Sequence, residues 1–126
     1  RLRARADAPS ADWFARLVAL TPDGRAERLA VGAARRHDRP PGETAEFTVP
    51  LGRLARRLPA GTRLRLEITG HHFPAHARNP HTGEDPITAT RLTPSAREVD
   101  PARLELRLSA LRTRPVPTDP AEEILR

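Results

Sequence analysis

Apolar and polar residues alternate with a period of two along much of the chain. The alternation is clearest at residues 1–6, 45–51, 62–69 and 103–108. This spacing predicts strands with one face in a core and the other in water. In the last two segments we expect these side chains to point inward: Leu64, Leu66, Ile68, Leu104, Leu106 and Leu108.

Residues 13–20 depart from this alternation, because apolar side chains occupy both parities there. A strand covered on both faces reads as such a continuous apolar run. The segment is therefore predicted to be the central strand of a sheet.

Turn sequences rich in Pro, Gly and Asp separate these segments at short intervals, and 14 prolines leave little room for helix. A helical turn or two is expected only at residues 53–58 and 120–126. Short strands with Pro and Gly turns predict an all-β fold, an antiparallel β-sandwich with very little helix.

Composition and charge argue against a nucleic-acid-binding or membrane-spanning protein. The 126 residues suffice for one core, and the net charge of +6 comes from arginines alone, without a lysine. The arginines are spread along the strands and aromatics are 3%, which favours solvated sheet faces over a nucleic-acid site. No apolar run approaches the ~20 residues that cross a bilayer, so we expect a soluble piece of a longer chain without a membrane partner. Without cysteine the sequence leaves the compartment open.

Serine hydrolysis requires a nucleophile on a sharp turn, and the pattern Gly-x-Ser-x-Gly is absent from this sequence. Ser10, Ser95 and Ser109 have no glycine neighbour, and Ser10 near Asp12 is interpreted as a turn hydrogen bond. We therefore expect no catalytic residue in this segment.

Four histidines lie close together, at His71, His72, His76 and His81. Imidazoles are common zinc ligands, but Pro74 interrupts the helical spacing of His72 and His76, and no cysteine completes a site. We favour a role in capping a loop or facing a partner domain, and expect neither a metal nor another cofactor.

Several longer strings occur in an order that resembles a known family: DWFARL at 12–17, PGETAEFTVPLG at 41–52 and GTRLRLEITGHHFPAHARNPHTGEDP at 61–86. Together with PDGRAERLAVGAARRHDR at 22–39, they resemble the C-terminal β-sandwich domain of the X-prolyl dipeptidyl peptidase and cocaine esterase family of serine hydrolases. The similarity runs in collinear order from about residue 3 to 108. It implies a galactose-binding-like jelly-roll joined to an α/β-hydrolase domain that carries the Ser-Asp-His triad.

Some positions depart from the family pattern. His71 and His72 stand where relatives have small or polar residues, and residues 98–104 lack a His-rich turn, whereas Arg78 and Asn79 match. The predicted layout is a jelly-roll domain over 1–112, lacking its first strand, and a Pro-rich tail over 113–126 with a short terminal helix.

The resemblance implies a non-catalytic domain whose partner is the catalytic α/β-hydrolase domain of the same parent, which it supports while shaping access to the cleft. The long loop 70–86 supplies the candidate contacts, which are His71, His72, Phe73, Arg78 and Asn79. In a purely structural role, Phe73 would instead bury its ring. The alternative function is a free-standing binding module for carbohydrate or another small ligand. The parent's substrate and any homo-oligomer stay open.

Overall fold

The computed structural model describes residues 1–37 and 39–108. Within them the chain forms six strands and one 3-10 turn. In chain order these are β1 (Leu2–Ala6), β2 (Ala11–Leu20), β3 (Ala26–Arg36), β4 (Ala45–Phe47), β5 (Arg63–Thr69), β6 (Arg97–Asp100) and the 3-10 turn Pro101–Arg103. None of the described residues forms a helix with the length and apolar character needed to span a membrane.

The strands form two antiparallel sheets of three, in the orders β4-β1-β6 and β3-β2-β5. β2 and β3 form a hairpin around the turn at Thr21, where Gly24 takes a positive φ of 85°. β2 is the central strand of its sheet and is buried along almost its whole length, as its two-sided apolar pattern predicts. The predicted all-β antiparallel sandwich is confirmed.

The core lies between the sheets at the end formed by β1 and the start of β2. β1 alternates strictly between buried and exposed residues, because its alanines and leucine face inward and its arginines face water. The buried cluster consists of Leu2, Ala4, Ala6, Ala11 and Trp13. Trp13 is the largest side chain of this cluster and is 1% exposed.

Gly32 allows the backbone to approach closely on the β3 side of the sandwich. An ideal Cβ placed on Gly32 would lie 2.1 Å from the carbonyl oxygen of Pro50. β4 is accordingly shorter than the alternation at 45–51 predicts, since regular pairing ends at Phe47 and the chain then crosses over Gly32.

The prediction of a strand at 103–108 is wrong. Asp100 caps the 3-10 turn by accepting a hydrogen bond from the Ala102 N–H at 3.0 Å, and the chain then continues without regular pairing. Two backbone hydrogen bonds join Glu105 in this segment to Arg1, the residue just before β1.

The expected burial of Leu64, Leu104 and Leu108 is also wrong, since they are 39%, 39% and 61% exposed. Leu64 and Leu108 line an open groove of about 700 Å³ between the sheets, and Leu104 lines a neighbouring one. Residues 53–58 form no helical turn. The predicted tail 113–126 and its terminal helix lie outside the described residues.

Candidate interdomain surface

Loop 70–86 folds back against β2 and covers Phe14. The imidazole of His72 lies 5.8 Å from the Phe14 ring and that of His76 lies 5.0 Å from it, centroid to centroid. A backbone hydrogen bond from the His76 N–H to the His72 carbonyl closes the turn that places both rings. Phe14 is thereby only 2% exposed. Its neighbour Trp13 lies on the other face of the strand, which faces the opposite sheet.

A buried polar network fixes the second half of the loop. Asn79 donates to Asp12 Oδ1 at 2.9 Å and accepts from the Ser10 hydroxyl at 2.8 Å. Its Oδ1 also accepts the His81 N–H at 2.9 Å. Arg35, opposite Asp12 on β3, donates to both oxygens of the Asp12 carboxylate at 2.7 Å. Both polar atoms of the Asn79 side chain are thus satisfied away from water.

The charge of Asp12 is compensated inside this network. Burial alone would raise the pKa of the Asp12 carboxyl, but the hydrogen bonds from Arg35 and Asn79 outweigh it together with the charges of Arg35 and His37. The pKa of Asp12 therefore lies below its usual range, and its hydrogen bond raises the pKa of Arg35. Asn79 thus joins the loop to the carboxylate of an ionised pair with two-point geometry.

The opposite side of the loop faces water. Phe73 is 59% exposed, so the structural role in which it buries its ring is wrong. The guanidinium carbon of Arg78 lies 4.9 Å from the Phe73 ring centroid, a cation-π distance. His71 is exposed as well. We name these three side chains, His71, Phe73 and Arg78, the docking surface.

The five predicted contact residues therefore occupy three kinds of position. Asn79 is 6% exposed and holds the loop from beneath. His72 is half-buried against Phe14, and the remaining three form the docking surface. Ser10 is buried and bonds Asn79 across the loop rather than within its own turn.

The histidines do not converge on one point. The His72 and His76 ring centroids are 5.9 Å apart and both rings contact Phe14. His81 instead bonds Arg97. Among residues 1–37 and 39–108, no three His, Asp or Glu side chains are arranged to hold a metal ion.

Sequence reasoning missed Arg35 and Arg97. Arg35 is one of 22 arginines, and only its place opposite Asp12 distinguishes it. Arg97 begins β6, and its guanidinium carbon lies 5.9 Å from the centroid of the Trp13 ring. Neither residue belongs to a motif; the strand pairing could have indicated Arg35 alone.

Fold and site together define an all-β sandwich domain with an exposed loop that hydrogen bonds hold to β2. The chain belongs to the family described as the X-Pro dipeptidyl-peptidase C-terminal non-catalytic domain, whose match covers residues 1–110. No curated protein and no solved structure matches the chain significantly.

Proposed function

We propose that this chain is the non-catalytic C-terminal domain of an α/β-hydrolase-type serine hydrolase, resembling X-Pro dipeptidyl peptidases, esterases or acylases. It supports the catalytic domain and shapes access to the cleft of that domain. The family membership supports the first statement. The observation that carries the second is a loop whose buried half is fixed to β2 while Phe73 stays 59% exposed.

The docking surface has the composition expected of a contact between domains. Such contacts place an aromatic or arginine anchor at the centre and polar groups around it. Phe73 provides the apolar anchor, while Arg78 and His71 provide planar hydrogen-bonding groups beside it. Because Asn79 already fixes the loop, little conformational entropy is lost when a partner binds.

The alternative is a free-standing module that binds carbohydrate or another small ligand, and the aromatic side chains bear on the carbohydrate case. Sugars stack on exposed aromatic faces, and Trp13 and Phe14 are both buried. Phe73 is the one well-exposed aromatic among the described residues, but Arg78 already lies over its ring. This arrangement favours a protein partner over a sugar.

The test is the parent polypeptide, whose coding sequence upstream of Arg1 is expected to contain an α/β-hydrolase segment with Gly-x-Ser-x-Gly. In that polypeptide, Phe73→Ala should separate one cooperative unfolding transition into two and accelerate proteolysis between the domains. Ile87→Ala is the matched control, because Ile87 is an apolar residue nearby that is 86% exposed.

Two results would count against this role. Equal behaviour of the Phe73→Ala and Ile87→Ala variants would exclude the loop as the docking surface. An upstream sequence without a hydrolase segment would favour the free-standing module instead.

A further inference from the structure

Arg97 lies in a narrow space between the two sheets and the loop. Its guanidinium lies near the Trp13 ring on one side, with Cζ 5.9 Å from the ring centroid. On another side Gly70 passes so closely that an ideal Cβ there would be 2.6 Å from Arg97 Nη1. These contacts hold the guanidinium in place.

The charge of Arg97 has no counterion among the described residues. None of the carboxylates there lies within 4 Å of its guanidinium. Its Nε is buried without a hydrogen-bond partner. Burial lowers the pKa of Arg97, and the more distant carboxylates of Asp12 and Asp7 only partly offset that effect. A half-buried cation without a counterion carries a cost that a bound anion would offset.

His81 does not supply that compensation. Its Nδ1 is 2.6 Å from the Thr93 carbonyl, so Nδ1 is the donor, and Nε2 accepts from Arg97 Nη2 at 2.6 Å. The imidazole is therefore neutral in this arrangement. It directs the guanidinium and occupies only one of its five N–H groups.

An open cavity of about 330 Å³ adjoins Arg97. Its walls include Gly70, His71, Arg78, His81, Thr93 and Arg97, and none of its lining residues is acidic. Two arginines and two histidines are thus among the residues that line a space large enough for a small carboxylate or an acidic side chain.

We propose that this cavity binds a carboxylate group through Arg97. The planar guanidinium fork of Arg97 matches a carboxylate in two-point geometry, and Arg78 is a second arginine among the residues that line the cavity. The carboxylate comes either from a free small molecule or from an aspartate or glutamate of the domain that docks on the adjacent loop. Only the second source depends on the proposed function.

Titration of the full chain with N-acetylglutamic acid α-amide tests the site, with N-acetylglutamine amide as the neutral match. Trp13 is the single tryptophan and reports on Arg97 through its fluorescence. We expect a saturable change with the carboxylate probe alone. Arg97→Gln should abolish the change and Arg97→Lys should weaken binding at least tenfold, whereas Arg103→Gln, an exposed control, should leave it intact.

Three results would overturn the proposal. They are the absence of a saturable response, an equal response in the Arg97→Gln chain, and equal binding of inorganic phosphate. Backbone amide NMR spectra of each variant confirm that it is folded.

The parent polypeptide distinguishes the two sources. If the probe still binds there, the site takes a free carboxylate. If the probe binds only to the isolated chain, and mutation of one acidic residue in the catalytic domain restores binding to the parent, a side chain fills the cavity. Loss of binding in the parent that no acidic substitution restores would overturn the side-chain source. Failure of docking itself would leave the titration of the isolated chain unaffected.

Discussion

Asn79 Nδ2 donates a hydrogen bond to Asp12 Oδ1 at 2.9 Å, across 67 positions of sequence. This bond joins the loop to the central strand of its sheet, at the point where Arg35 also grips the carboxylate. The position of Phe73 and Arg78 at the surface therefore depends on the buried residues Asp12 and Asn79, which a docking partner does not contact. A buried amide that accepts two hydrogen bonds and donates a third favours one loop conformation.

Asn79→Ala should lower the free energy of unfolding by about 1 to 3 kcal/mol, because Asp12 loses a donor and the Ser10 hydroxyl loses its acceptor inside the protein. Urea denaturation of the chain measures this change. Arg78→Ala is the neighbouring control and should cost less than about 1 kcal/mol, since Arg78 is exposed. Equal costs would mean that the network does not hold the loop.

The lowered pKa of Asp12 predicts a loss of stability in acid. Its carboxyl binds protons more readily in the unfolded chain, so its contribution is present above the unfolded pKa of about 3.9 and disappears as pH falls through the native pKa. The urea concentration at the unfolding midpoint should therefore decrease as the pH is lowered below about 4. Asp12→Asn should flatten this fall. Asp23→Asn should flatten it much less, because Asp23 is exposed and water screens its contacts, although its pKa is also lowered.

Gly32→Ala should destabilise the sandwich, because its methyl group would overlap the Pro50 carbonyl oxygen. Forcing an extra carbon into a packed site costs about 1 to 3 kcal/mol. Ala33→Ser on the exposed side of the same strand should change the unfolding free energy by less than about 0.5 kcal/mol. A neutral Gly32→Ala would show that the segment around Pro50 does not cross β3 in solution.

The sequence was sufficient to predict β1 and β2, since the alternation at 1–6 and the apolar run at 13–20 are both direct consequences of burial. The Asp12 and Arg35 pair was beyond such reasoning. A regular hairpin continuing the Leu20 and Ala26 register would place Asp12 opposite Ala34. The irregularity beside Leu17 and Val18 shifts the pairing by one residue and brings Arg35 opposite instead.

The leucines illustrate a different limit. Alternation reports which side of a strand is apolar, but it does not report whether anything covers that side. Leu64 and Leu66 of β5 line the intersheet grooves, so the direction was predicted correctly for this strand. Their burial also depends on neighbouring segments, and residues 104–108 do not form the regular strand that would close the groove.

Because the groove is open, Leu→Ala substitutions at two positions should lower the free energy of unfolding by different amounts, although the alternation predicts both leucines to be inward. Leu2 is 2% exposed within the core cluster, so Leu2→Ala should cost about 2 to 5 kcal/mol. Leu64 is 39% exposed, so Leu64→Ala removes fewer contacts and should cost about 1 kcal/mol or less. Urea midpoints of the two variants, with Arg65→Ala as the exposed neighbour on the same strand, make the comparison. If Leu64→Ala proved as harmful as Leu2→Ala, the groove would be closed in solution, and the intersheet core would extend along the whole of β5.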